Sequence, residues 1–143
     1  MIWSGGVWGE DITDYHIDSL ARFTGAGRVL INLPNRPDMH DPFHVAALET
    51  HDALIAAGLK VGVIPEPHYR RVKSIDFVAS YANYYVCNGA VISAQFGDPK
   101  TDAIAAETLS RHYPDREVIT LNVDPLGELG GGIHCATQQM PKV

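Results

Sequence analysis

In Tyr81-Ala82-Asn83-Tyr84-Tyr85-Val86-Cys87-Asn88-Gly89-Ala90-Val91-Ile92-Ser93-Ala94-Gln95, two apolar runs flank the pair Asn88-Gly89. This pair tolerates the positive φ angles of a tight turn, so the stretch predicts a β-hairpin with strands over 81–86 and 90–95. Gly97-Asp98-Pro99 then predicts the start of a helix that runs to about Arg111, and a closing strand is predicted over 117–121. The segment is therefore interpreted as a ββαβ unit.

The same order of elements precedes this unit. Two short apolar runs over 18–23 and 28–33 are joined by a glycine turn. Asp41-Pro42 predicts the start of a helix that Gly58 ends, and a strand is predicted over 59–64. A third unit is predicted to begin with a strand over 133–138. The fold class expected is therefore α/β, a single domain of tandem ββαβ units over about 16–65, 80–122 and 133–143, repeated around an axis or in a solenoid.

Composition and net charge limit the kinds of partner that the chain is expected to bind. The 143 residues are 45% hydrophobic, which suffices for one domain with a core. A net charge of −6 without any run of Lys or Arg argues against a nucleic-acid partner, and no apolar run approaches the roughly 18 residues that span a membrane. The amino terminus does not resemble a signal peptide. Cys87 and Cys135 are thus expected to be reduced thiols in a cytoplasmic protein.

A glycine run, Gly130-Gly131-Gly132, leads into Cys135. Glycines let a substrate approach the backbone closely, and a partly exposed cysteine becomes nucleophilic near cations or oriented N–H groups. Cys135 is therefore the candidate nucleophile, and the alternative is a small buried apolar residue. Gly131 and Gly132 are candidates for backbone contacts with a substrate. Cys87 lies in an apolar run and is assigned to packing.

Equivalent strand starts converge if the units surround an axis. His16 and Asp18 begin the first unit, Asn83 lies in the first strand of the second, and Cys135 lies in the first strand of the third. Residues i and i+2 share one face of a strand, so one pocket is expected to hold both His16 and Asp18. The alternatives are that His16 is structural and that Asp18 caps a turn or pairs with Arg22.

The other histidines receive no catalytic role. His134 precedes Cys135, so strand alternation would turn its ring to the opposite face. The rest lack the spacing of metal ligands and are interpreted as surface or packing residues: His40, His44, His51, His68 and His112. A zinc site of His16, Asp18 and Cys135 is a weaker alternative, because no paired-cysteine or paired-histidine motif is present. We therefore predict neither a metal nor a cofactor.

Four motifs follow one another along nearly the whole chain: His16-Ile17-Asp18-Ser19-Leu20-Ala21-Arg22-Phe23, Ser80-Tyr81-Ala82-Asn83-Tyr84-Tyr85, Gln95-Phe96-Gly97-Asp98-Pro99 and Gly130-Gly131-Gly132-Ile133-His134-Cys135-Ala136-Thr137-Gln138-Gln139. Together they resemble the agmatine deiminase family. That family is related to the bacterial-type peptidyl-arginine deiminases within the guanidino-group-modifying superfamily. The resemblance covers only the family's carboxyl-terminal half.

The resemblance implies a pentein-like α/β-propeller and a guanidine-group hydrolase that releases ammonia through a cysteine-linked amidino intermediate. By this analogy Cys135 attacks the guanidinium carbon, His16 protonates the departing ammonia and then activates water, and Asp18 binds the guanidinium nitrogens. These roles fit the chemistry, because a delocalised guanidinium needs a strong nucleophile and a carboxylate clamp at close range. The implied partner is a cationic guanidino small molecule, such as agmatine, or an arginine side chain.

The sequence departs from the family pattern at three points. Tyr15 replaces the glycine that usually precedes the catalytic histidine, where it is expected to fill space beside the reaction centre. Gly132 replaces an asparagine of the loop. The family also draws guanidinium-binding carboxylates from its amino-terminal half, so a homo-oligomer or a complementary amino-terminal half is expected to complete the site. The alternative is a catalytically inactive family member that acts as a binding or oligomerisation module.

Overall fold

The first unit of the fold is one three-stranded sheet with one long helix. The structure, a computed structural model, describes residues 1–74 and 76–141. In chain order the first unit comprises α1 (Ile17–Leu20), β1 (Ala21–Gly25), β2 (Arg28–Leu33), α2 (Pro42–Ala56) and β3 (Lys60–Pro65). Strand β1 pairs antiparallel with β2, and β2 pairs parallel with β3, so that α2 is the crossover between the two parallel strands.

The second unit repeats this topology. It comprises β4 (Tyr85–Cys87), β5 (Ala90–Ala94), α3 (Pro99–His112) and β6 (Glu117–Leu121), and the four-residue helix α4 (Asp124–Gly127) follows. Strand β4 pairs antiparallel with β5, and β5 pairs parallel with β6. The predicted order of two tandem ββαβ units is confirmed. None of the helices in the described part of the chain is long and apolar enough to cross a membrane.

Both long helices begin at the predicted Asp-Pro pairs. The Asp41 carboxylate accepts hydrogen bonds from the backbone N–H groups of Phe43 at 2.9 Å and His44 at 3.4 Å. Asp98 accepts from the Thr101 N–H at 3.2 Å. These caps satisfy N–H groups that have no partner within the helix, and the proline that follows each aspartate has the φ angle of a first helical residue.

Strand β2 contributes to two hydrophobic cores because successive side chains point to opposite faces. Val29 and Ile31 are buried on the α2 side, in a cluster with Leu20, Ala47 and Leu54. Leu30 is buried on the other side, in a larger cluster built mostly from the second unit: Ile64, Phe77, Tyr81, Ala82, Tyr84, Val91, Ala94, Phe96, Ala105, Leu109 and Ile133. The two units therefore share a core through one strand.

The predicted strand over 133–138 is wrong, because this segment forms a turn. The Ala136 N–H donates to the Gly132 carbonyl at 3.2 Å, and the Thr137 N–H donates to the His134 carbonyl at 3.1 Å. These local bonds occupy groups that a strand would offer to a neighbour. Lys142 and Val143, the last residues of the predicted third unit, lie outside the described residues.

Two predicted strands begin later than expected. Strand β1 begins at Ala21, because residues 17–20 form α1 and the Ser19 N–H donates to the His16 carbonyl at 3.0 Å. Strand β4 begins at Tyr85, because the Ser80 hydroxyl accepts from the Ala82 N–H at 3.1 Å and turns the backbone there. His16 and Asp18 therefore do not lie on a strand.

Candidate functional site

The Cys135 side chain is exposed, in the turn that follows the glycine run. Gly130 adopts a φ of +75°, which directs the chain into this turn at no steric cost. Gly131 packs against the cysteine, since a Cβ placed on it would lie 3.5 Å from the Cys135 Cβ. By contrast Cys87 lies in β4 and its thiol contacts the Ala90 carbonyl at 3.5 Å. Of the two cysteines, Cys135 is the one that a substrate can reach.

The Asp18 carboxylate lies between the thiol and a histidine. Its Oδ2 is 3.4 Å from the Cys135 Sγ and 2.7 Å from the His134 Nδ1. Its Oδ1 is buried and has no hydrogen-bond partner among the described residues. A buried carboxylate oxygen without a donor is costly, so this atom is available for a ligand's N–H group.

The electrostatics of Asp18 favour its charged form. Burial by itself would raise the pKa of this carboxyl. Hydrogen bonds from His134 and Cys135, followed by the nearby charges of His134 and His16, outweigh burial and hold the pKa of Asp18 below its usual value. Asp18 is therefore an anion at neutral pH, which suits it to binding a cation.

Asn83 is buried at the centre of the site and uses both ends of its amide. Its Nδ2 donates to the Cys135 Sγ at 3.3 Å and to the Ser19 Oγ at 3.3 Å. Its Oδ1 accepts from the His134 N–H at 2.8 Å. The structure thus brings together Asp18, Asn83 and Cys135, as predicted, although none of the three lies on the strand that the prediction assumed.

The positions of the two histidines of the site differ from those predicted from the sequence. His134 was predicted to face away from Cys135, but its ring contacts Asp18, because residues 133–136 form a turn in which strand alternation does not apply. His16 precedes α1 as its N-cap, is exposed, and makes no ring hydrogen bond within residues 1–74 and 76–141. Its charge still contributes to the lowered pKa of Asp18, which places it near that carboxylate.

Gly132 packs tightly where the family has an asparagine. It is buried, and a Cβ at this position would collide with the Asn83 Oδ1. Absence of a side chain here is therefore a requirement of packing. As to metal binding, the described residues contain no group of three His, Cys, Asp or Glu side chains that could hold a metal ion, and His16, Asp18 and Cys135 are no exception.

The Tyr15 ring lies against the start of α2. It packs edge-on against Phe43, with 5.1 Å between ring centroids. Asp14 and Tyr15 adopt φ angles of +51° and +64°, a left-handed conformation that favours glycine. The glycine usual in the family at position 15 would adopt this backbone without strain.

Comparison with known proteins finds similar sequences and structures. Residues 1–141 match the model of the family described as Porphyromonas-type peptidyl-arginine deiminase. An agmatine deiminase of Medicago truncatula is 33% identical over 171 aligned residues, which cover 100% of this chain and 45% of the relative.

Solved structures of agmatine deiminases share the fold of this chain. A C. jejuni agmatine deiminase with substrate bound superposes with a TM-score of 0.80 and 28% identity over 96% of this chain and 40% of its own. An agmatine deiminase of Enterococcus faecalis gives a TM-score of 0.77 and 29% identity, covering 91% and 41%. The predicted fold class, a part of a pentein-like α/β-propeller, is confirmed. The chain spans less than half the length of these relatives.

Proposed function

This chain belongs to the Porphyromonas-type peptidyl-arginine deiminase family, and from that premise we propose that it hydrolyses the guanidinium group of agmatine or an arginine-like substrate. The products are a ureido compound and ammonia. One observation carries the proposal: the Asp18 carboxylate contacts the exposed thiol of Cys135 with one oxygen and keeps its other, buried oxygen without a partner among the described residues.

Asp18 is the proposed guanidinium anchor. A guanidinium is planar, carries its N–H groups in a fixed fork and pairs well with a carboxylate. The free Oδ1 of Asp18 offers one acceptor, and Oδ2 lies beside the thiol. A guanidinium held there places its central carbon close to the Cys135 sulfur, which is the proximity that attack on a poor electrophile requires.

The first half of the reaction forms a carbon–sulfur bond. The positive charge of a bound guanidinium favours the thiolate of Cys135 over the thiol, and the Asn83 Nδ2 donates a hydrogen bond to the sulfur. His16 takes the thiol proton, and the thiolate adds to the guanidinium carbon. His16 protonates one nitrogen, and the carbon–nitrogen bond breaks to release ammonia, leaving an amidino group on the sulfur.

The second half returns the cysteine to its starting state. His16, now neutral, takes a proton from water, and the hydroxide adds to the amidino carbon. The carbon–sulfur bond then breaks, which gives the ureido product and regenerates Cys135. His134 serves as a positioning residue, because its ring holds Asp18 at 2.7 Å while its backbone N–H is fixed by Asn83.

Asp18 is the carboxylate that contacts the thiol in the proposed site. We propose that a second copy of the chain, or a complementary amino-terminal half, supplies the further carboxylates around the guanidinium. Several large apolar side chains support a missing neighbour, because they are strongly exposed: Trp3, Trp8, Ile12, Leu129 and Met140. The two unpaired cysteines fit a reducing compartment such as the cytoplasm.

Ammonia release tests the proposed reaction. The chain is assayed with agmatine, arginine and an arginine-containing peptide, alone and mixed with the amino-terminal half of a relative. Cys135→Ala is expected to lower kcat by at least about 10³-fold because no other group can form the covalent intermediate. Cys87→Ala, the matched control in β4, is expected to keep the activity. Inactivity of the unaltered chain in every mixture would refute the hydrolase and leave the binding or oligomerisation module.

A further inference from the structure

A second cavity lies at the carboxyl-terminal ends of the parallel strands β2 and β3. Its volume is about 550 Å³, and Cys135, Asp18 and His134 are not among its lining residues. Asn32 near the end of β2 and Glu66 just after β3 line it. The carboxyl ends of parallel strands are the usual place for ligands in α/β sheets. The position alone makes this cavity a candidate binding site.

Asn32 leaves one buried oxygen without a partner in this cavity. Its side chain is 2% exposed, and its Nδ2 donates to the Glu66 Oε1 at 3.2 Å. Because an ionised carboxylate only accepts hydrogen bonds, this contact fixes which end of the amide is the nitrogen. The Oδ1 of Asn32 then has no donor among the described residues. A ligand that donates hydrogen bonds would satisfy it.

Two carboxylates add negative charge beside this oxygen. Glu66 and Asp41 both line the cavity, and the basic group within 4 Å of either is His44, whose Nε2 lies 3.4 Å from the Glu66 Oε2 and 3.7 Å from the Asp41 Oδ2. The His44 Nδ1 accepts from the Asp38 N–H at 3.0 Å, which leaves Nε2 as the ring nitrogen that faces the two carboxylates. Within the described residues, no Lys or Arg forms a salt bridge with Glu66 or Asp41.

The pKa values of two groups that line the cavity are raised, chiefly by burial. Burial raises the pKa of Glu66, and the opposing contacts with His44 and Asn32 do not cancel it. Burial also raises the pKa of Tyr15 on the cavity wall, with further contributions from the charges of Glu66, Asp41 and Asp11. Both directions are those that a cation in the cavity would reverse.

The two basic residues on the cavity rim have other partners. Arg70 donates to the carbonyls of Phe77 at 3.2 Å and Ser74 at 3.3 Å and stacks over the Phe77 ring. The Lys73 ammonium lies over the Tyr69 ring, 4.4 Å from its centroid. Neither neutralises the carboxylates at the floor of the cavity.

We propose that this cavity binds a small primary ammonium ion, R–NH₃⁺, whose N–H groups donate to the Asn32 Oδ1 and to the carboxylates of Glu66 and Asp41. An ammonium has three donors and no acceptor, which matches a cavity lined by these three acceptor side chains. Phe43 and Phe77 on the walls supply apolar surface for a short alkyl chain. A metal ion fits less well, because no group of three metal-ligating acids, histidines or cysteines exists in the described segments.

Equilibrium binding of n-butylammonium chloride tests the site. The ¹⁵N-labelled chain is titrated, and the Asn32 side-chain amide signals are followed by NMR. We expect saturable shifts of these signals with n-butylammonium, but not with n-butanol or with NaCl at equal concentration. Equal shifts with n-butanol or NaCl would overturn the proposal, as would no shift with n-butylammonium.

Two charge-removing variants and a matched control identify the acceptors. Glu66→Gln is expected to weaken n-butylammonium binding by at least about tenfold, because a charge-assisted hydrogen bond is lost. Asp41→Asn is expected to weaken it several-fold while keeping the helix cap, since asparagine caps helices well. Glu107→Gln removes the same charge from the exposed face of α3 and is expected to leave the affinity unchanged. Unchanged affinity in both cavity variants would overturn the proposal.

Two sources of the ammonium are possible, and competition separates them. In Cys135→Ala, displacement of n-butylammonium by agmatine would identify the amine end of the guanidino substrate as the ligand. Simultaneous binding would identify an independent amine. Because both measurements are of binding and not of turnover, failure of the ammonium site is distinguishable from failure of the proposed hydrolase.

Discussion

At the scale of single residues, the Asn83 amide holds the candidate site together. It joins Ser19, His134 and Cys135, which come from the first unit and from the carboxyl-terminal turn. Both ends of the amide are hydrogen-bonded, so a side chain added next to it has to break one of these bonds. Gly132 is the neighbour that leaves room for the Asn83 Oδ1.

Gly132→Ala is therefore expected to lower the free energy of unfolding by about 1–3 kcal/mol, because the added methyl group displaces the Asn83 amide. Gly131→Ala is the matched control. Its Cβ would lie 3.5 Å from the Cys135 Cβ, an ordinary contact, and should cost less than about 1 kcal/mol. Urea unfolding followed by circular dichroism gives both values. Equal losses in the two variants would contradict the role of Asn83 as the obstacle.

A second residue-scale prediction concerns the charge of Asp18. His134→Ala removes the 2.7 Å contact, so the pKa of the Asp18 carboxyl should rise from its lowered value. A lowered folded-state pKa stabilises the fold above the unfolded pKa, and this stabilisation is lost as the pH falls. The variant should thus lose part of the stability that Asp18 provides near neutral pH. Carboxyl ¹³C titration by NMR measures the shift, with Cys87→Ala as the unchanged control.

Sequence reasoning located part of this site. The repeat predicted that His16, Asp18, Asn83 and Cys135 converge. Cys135 contacts both Asp18 and Asn83, whereas the His16 ring makes no hydrogen bond within the described residues. The chemical roles of all four stay predictions. His134 was missed because its role depends on a turn that looks like a strand when the residues are read alone. The turn is decided by the contact of its own backbone with Asn83, 51 residues away, and local pattern does not contain that information.

Among the helices and strands, the ends that have a local physical cause were predicted correctly. The Asp-Pro pairs predicted the starts of α2 and α3, and Asn88-Gly89 predicted the hairpin of β4 and β5. The pair Asp124-Pro125 differs, because Asp124 lies inside α4 and the N-cap, Val123, makes no side-chain hydrogen bond. Strand starts were placed too early, because Tyr81, Ala82 and Tyr84 are apolar through burial in the core and not through strand formation.

Asp98→Ala tests the cap of α3. The Asp98 carboxylate accepts from Thr101 and also from the N–H groups of His68 and Tyr69, so its loss should cost about 1–2 kcal/mol of unfolding free energy at pH 7. The hydrogen bond from the Thr101 hydroxyl is the largest cause of its lowered pKa. Because the folded-state pKa is lowered, the difference from the unaltered chain should shrink progressively as the pH falls below about 4, the pKa of an aspartate in an unfolded chain.

Thermal and urea unfolding at pH 7 and pH 3 measure this difference. Asp115→Ala, at an exposed aspartate after α3, is the control and should change the stability by less than about 0.5 kcal/mol at either pH. A loss in Asp98→Ala that persists undiminished at pH 3 would show that the charge of the cap does not contribute.

For the molecule as a whole, the association with a second copy or an amino-terminal half stays a prediction, and two exposed tryptophans motivate it. Trp3 is 82% exposed and Trp8 is 89% exposed, and such values are unusual for tryptophan on the surface of a monomeric protein. We expect light scattering to give a mass above the 15.6 kDa of one chain, or association with an added amino-terminal half of a relative. A monomer that is fully active alone would contradict this expectation. Trp8→Lys should weaken the association, and Lys100→Glu, on α3, is the control.

Strand β2 has one more consequence, for the way the chain unfolds. Its Leu30 is buried with the second unit, while Val29 and Ile31 are buried under α2. Repeats that contact one another only through their surfaces can unfold independently. A strand that is shared by two cores couples the unfolding of the two repeats. The chain should therefore behave as one cooperative body in calorimetry, with equal calorimetric and van't Hoff enthalpies. The thiol site and the ammonium cavity would then disappear at the same temperature.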